Sequence, residues 1–167
     1  CDGIVTRGVL LDIAASRGVD WLAADEPVMP QDLEQAEKNQ GVRVEEGDVL
    51  FVRTGNYRKR LESGPVPNTE PMTACQVGCT PWFKDRGVAM LGTDTSNDVR
   101  PSQYATIVSP LHTVCLVTLG LWLIDNANLE ELAQACGERS RYEFMVSLGP
   151  LRLRNITGSP VNPIAIF

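Results

Sequence analysis

The chain has 167 residues, 15 Lys and Arg against 21 Asp and Glu, a formal net charge of −6 and 43% apolar residues. That length and balance fit one soluble domain over 1–167 and exclude a disordered, collagen-like or coiled-coil chain. The acidic pI of about 4.8 and the lack of any block of five like charges argue against nucleic acid or an anionic membrane as partner, and the longest apolar run, 115–124, is about half a membrane span.

In chain order, residues 3–14 have the Val, Ile and Leu density of a long buried strand. A helix is predicted over 31–40, opened by Pro30 and stopped by Gly41. Residues 49–54 form a short apolar run between the Gly47-Asp48 turn and Gly55, which predicts a strand. The polar stretch 56–71, with Gly64, Pro65, Pro67 and Pro71, reads as a surface loop. A helix is expected over 73–85, with Pro81 opening a fresh turn.

Residues 88–92 read as a buried strand that empties into six small polar residues, 93–98. In an open α/β sheet the loop beyond the carboxyl end of a strand is where ligands sit. Thr93, Asp94 and Asp98 are therefore candidates for a substrate pocket. Pro110 opens an apolar helix from His112 to about Trp122, with Asp125 at its far end. Asn128 and Glu131 have capping-box spacing, Leu129, Leu132, Ala133 and Cys136 share one helical face, and Gly137 ends that helix. Residues 142–148, 151–154 and 161–167 follow as short strands, so the fold class is α/β with a mixed sheet.

Phosphate-binding signatures and a GxSxG nucleophile elbow are absent. Five irregularly spaced cysteines read as reduced, with Cys75 and Cys79 as small buried hydrophobes. His112 is the one histidine; as a lone imidazole it is either a satisfied structural residue or a catalyst, with Asp94, Asp98 and Asp125 as acids it could reach. Asp125, after Leu-Trp-Leu-Ile, is either a helix terminator or a site residue. Buried carboxylates need a partner, a metal or a proton. One histidine cannot by itself hold a catalytic metal, which takes about three protein ligands. Cys1 opens a rival reading as the nucleophile of an N-terminal nucleophile hydrolase, whose α-amine is the base. A chain that starts at Cys1 is a processed product, a truncated piece or part of something larger.

The blocks GIVTRGVLLDI at 3–13, DLEQA at 32–36, GDVLFVRTG at 47–55 and GVAMLGTDT at 87–95 follow one another in an order that resembles the Putative cyclase family, which contains bacterial kynurenine formamidase and isatin hydrolase. Pro110-Leu111-His112, Asp125-Asn126 before NLEEL at 128–132, and TGSPVNPIA at 157–165 extend the likeness over nearly the whole chain. The resemblance implies a swivelling β/β/α-type fold and metal-dependent hydrolysis of an amide, formamide or cyclic amide C–N bond, with Zn or Mn as cofactor. Most ligands in that family belong to an HxGTHxDxPxH motif, which these residues lack. His112 stands where a downstream histidine completes the site as ligand or acid/base, and Asp125 where a carboxylate or amide a little over three turns further on joins it. The expectation is the C-terminal, larger part of a cyclase-family amidohydrolase, inactive alone, its other ligands on a missing N-terminal segment or a companion chain. The expected partners are a small-molecule amide and further copies of the chain, and the expected location is the cytoplasm. A non-catalytic ligand-binding member, with His112 simply packed, is the alternative.

Overall fold

The structure, a computed structural model, describes residues 3–67 and 69–167, so the reading of Cys1 as a nucleophile lies outside the described residues. A six-stranded mixed sheet runs in the order β4-β3-β2-β1-β5-β6. Strands β1 (Ile4–Asp12), β2 (Val49–Arg53), β3 (Met90–Thr93) and β4 (Trp122–Ile124) are parallel neighbours. Strands β5 (Glu143–Leu148) and β6 (Ile164–Ile166) add antiparallel pairs beyond β1. This is the mixed α/β sheet that the order of apolar runs predicts.

The central strands are covered on both faces. All five residues of β2 are buried, and a parallel strand buried on both sides reads as a continuous apolar run rather than an alternating one. One face carries Val9, Leu11, Leu50, Val52 and Leu91. Helices α1 (Ile13–Ser16), α2 (Pro30–Gln40), α4 (Thr80–Asp85) and α5 (Pro110–His112) stand on that side of the molecule; Leu33, Phe83 and Leu111 from α2, α4 and α5 pack into this layer. The other face carries Leu10, Val49, Phe51, Met90 and Phe144, covered by Leu129, Leu132, Ala133 and Cys136 around α6 (Glu130–Arg139). Cys75, Cys79, Cys115 and Cys136 are buried free thiols, matching the reading as small hydrophobes. Among the described residues, no helix is long and apolar enough to cross a membrane.

Helix α2 ends as the sequence predicts, with Gly41 at φ 63° in the left-handed region that favours glycine. Other local readings are corrected. Residues 56–63, placed in a surface loop, form helix α3 (Asn56–Ser63) with no buried residue. Its start is tied to Asp94, whose carboxylate accepts from the N–H and hydroxyl of Thr54, just ahead of the helix, at 2.9 and 2.8 Å, and whose carbonyl accepts from Asn56 Nδ2 at 3.0 Å. No periodicity could reveal a helix held from outside. In 73–85, only the second half is α-helical, because 77–79 make a 3₁₀ turn and Val28 bridges Cys75 in β fashion.

The helix predicted from His112 to Trp122 also differs. After α5, residues Thr113–Leu119 widen into a π-helix, which closes at Gly120 with φ 66°. Trp122 then opens β4, pairing with Met90. Asn128 gives its side chain to the Glu130 N–H at 3.1 Å, and the first helical residue is Glu130, so the expected box with Glu131 does not form. Gly137 lies inside α6, which ends at Ser140 with φ 48°. Residues 151–154 form no strand, and the last strand is confined to β6. Pro160 and Pro163 lack the N–H that a longer ladder would need.

Candidate functional site

The polar loop after β3 and the end of β4 lie side by side, because β3 and β4 are parallel and end together. Asn126 N–H donates to the Thr95 carbonyl at 2.7 Å and Ala127 N–H to that of Thr93 at 2.9 Å. This brings Asp98 and Asp125 to opposite sides of one imidazole. His112 Nδ1 is 2.5 Å from Asp98 Oδ2, and His112 Nε2 is 3.4 Å from Asp125 Oδ2. Asp98 also accepts from the Leu111 N–H at 2.7 Å, so one buried carboxylate both caps the start of α5 and aims the ring that follows.

The electrostatics follow from this geometry. Hydrogen bonds to Asp125 and Asp98 favour the imidazolium over the cost of its burial, and push the His112 pKa from 6.5 up to about 10. Burial pushes the Asp125 carboxyl up, but hydrogen bonds from His112 and Asn97 outweigh it and hold the group below its ordinary value. The ring is therefore held as a cation between Asp98 and Asp125 in the absence of any other ligand.

His112 and Asp125 lie on the wall of a cavity of about 980 Å³. Its floor is apolar, with Phe51, Met90, Leu116, Trp122 and Phe144 among its lining residues. Thr93, Asp94 and Asp98 do not line it. Thr93 and Asp94, expected as pocket residues, are each 1% exposed. The Thr93 hydroxyl bonds within its own loop, to Thr95, and Asp94 is spent on α3. Burial raises the Asp94 pKa despite those bonds. Asp98 serves the site from behind the imidazole rather than from the cavity wall. Asp125 reaches His112 from the end of a strand, not from three turns along a helix as expected. The π-helix and the Gly120 turn use the residues between them.

Whether these residues suit a divalent cation can be tested on their chemistry. Two ligands of one tetrahedral ion, each ~2.1 Å from it, stand ~3.4 Å apart, and that is the spacing of His112 Nε2 and Asp125 Oδ2. A ligating histidine also gives its other ring nitrogen to a carboxylate, as Nδ1 does to Asp98. The pair thus fits part of a metal's shell. Two donors fall short of a catalytic set, and among the described residues no group of three or more His, Cys, Asp or Glu is arranged to hold a metal.

The model of the family described as Putative cyclase matches residues 1–97. The chain belongs to the cyclase family. A crystal structure described as that of a novel cyclase is 30% identical, with a TM-score of 0.86 over 98% of this chain and 54% of that one. An isatin hydrolase bound to the product analogue thioisatinate is 16% identical, with a TM-score of 0.70 over 95% of this cyclase-family chain and 58% of its own. A protein of Bacillus stearothermophilus described as a "predicted metal-dependent hydrolase" is 14% identical, with a TM-score of 0.65, covering 95% and 62%. No curated protein matches. The chain thus spans 54% of the length of the first of these structures, and the two at or below 16% identity share its fold.

Sequence reasoning reached His112, Asp98 and Asp125 but missed Asn97, which is fully buried and hydrogen-bonded to Asp125. Its place within the polar run 93–98 carried no signal that set it apart.

Proposed function

We propose that this chain supplies His112 and Asp125 to a metal-dependent hydrolase of amide, formamide or cyclic amide C–N bonds. One observation carries the reading: an imidazole anchored at Nδ1 by Asp98 faces Asp125 across 3.4 Å on the wall of an apolar cavity. Family membership and the hydrolases that share the fold support it. A divalent cation, Zn or Mn, held there by His112 Nε2 and Asp125 would polarise the substrate carbonyl and supply water acidified to near neutrality.

The chain's own residues do the rest. Asp98 keeps the imidazole from rotating and fixes a proton on Nδ1, leaving Nε2 as the donor atom. Asp125 holds a negative charge at the mouth of the cavity. Leu116 and Trp122, half-exposed apolar side chains of that wall, exclude water from the apolar part of a substrate, in keeping with a small aromatic or cyclic amide. The remaining ligands come from residues outside this chain, so the isolated 167 residues are inactive.

The test is His112→Ala in the complete enzyme, assayed on an N-formyl aromatic amine and on isatin. A fall in kcat/KM of about 10²-fold or more is expected. An unchanged rate would remove the hydrolase reading and leave a ligand-binding protein with a packed histidine.

A further inference from the structure

Asn97 and Asp98 are consecutive residues, and their side chains diverge to hold the two partners of the site. Asp98 holds His112. Asn97 donates from Nδ2 to Asp125 Oδ1 at 2.7 Å and to the Ile124 carbonyl at 3.0 Å. Its own backbone N–H donates to the Thr95 hydroxyl at 3.2 Å. The amide cannot be turned over, since its oxygen would then face two acceptors. Oδ1 of Asn97 is buried without a hydrogen-bond partner among the described residues, and the residue sits at φ 59°. A fully buried amide with both of its donors engaged is fixed in one orientation, on a left-handed backbone that asparagine adopts readily.

We propose that Asn97 is a positioning residue: by taking Oδ1 of Asp125 it leaves Oδ2 to face His112 Nε2, and so sets the spacing of the two donors. The role of that spacing in metal binding rests on the reading above; the orientation of Asp125 does not.

The test uses nitrogen NMR of the 167-residue chain, in which His112 is the one imidazole. Two variants are compared: Asn97→Gly keeps the positive φ and deletes the amide, and Asn97→Asp keeps the shape and replaces donors by acceptors. Without metal, both are expected to exchange the Nε2 proton with water at least ~10-fold faster while the Nδ1 signal at Asp98 stays in place, an asymmetry that general loosening would not produce. In a titration with zinc chloride alone, both should bind ~10- to 100-fold more weakly at His112 than the parent. Unchanged Nε2 exchange in a folded variant overturns the proposal, and so does loss of the native amide spectrum in both variants, which would make Asn97 structural. The metal reading is decided separately, by His112→Ala in the complete enzyme, and the exchange data alone decide the positioning role.

Discussion

His112 gains its charge from its neighbours, and this has a direct consequence for pH. Its pKa is raised from 6.5 to about 10 by Asp125 and Asp98. A cation favoured by folding contributes stability that is fully present below pH 6.5 and is lost as pH rises towards 10. In the metal-free chain, the free energy of urea unfolding is therefore expected to decline across that window, more steeply than in His112→Ala. The buried thiols, whose pKa values burial also raises, decline equally in both proteins and cancel in the difference. Parallel curves would show that the imidazole is not held as a cation. At this scale His112 was legible because it is the one histidine, and Asp98 and Asp125 because acids in apolar surroundings stand out. Asn97 was not, since its role depends on Asp125, a residue 28 positions away.

Between elements, a buried polar tie stands at the ends of β1 and β2. Arg53, 6% exposed, places Nη1 at 2.9 Å from Asp12 and both Nε and Nη2 on Glu130 at 2.9 and 2.8 Å. The register sets Asp12 beside Arg53 across the parallel pair, and Glu130 brings in the first turn of α6. Arg53→Met removes one partner and leaves two acids without their cation, a change that costs about 3–5 kcal/mol for a buried pair. Chemical denaturation should show this loss, whereas a change below about 1 kcal/mol would mean that the triad behaves as a surface pair. The same junction explains an element that composition hid. Helix α3 follows Gly55 at φ 80°, where a Cβ would come within 2.1 Å of the Asp20 carbonyl. Glycine there and Asp94 behind it start a helix in a stretch that reads as loop.

Across the whole molecule, both core layers close without His112 or Asp125. Chelator treatment is accordingly expected to leave the thermal midpoint of the 167-residue chain where it was. Equilibrium dialysis against Zn or Mn should find no tight stoichiometric binding, because two donors are fewer than the about three that a catalytic ion requires. Tight one-to-one binding by these residues alone would contradict the assignment of the other ligands to residues outside the chain.

Strands β1 and β2, helix α2 with its Gly41 stop, and the mixed α/β class were determined by the sequence alone. Their signals are local: apolar runs, a proline at the start, a glycine at the end. The facing of His112 and Asp125 was decided by the tertiary structure. Their 13-residue separation crosses a π-helix, a left-handed turn at Gly120 and a strand whose register is set by β3. Where Asp125 points depends on that pairing, a long-range contact that no period in the intervening residues encodes.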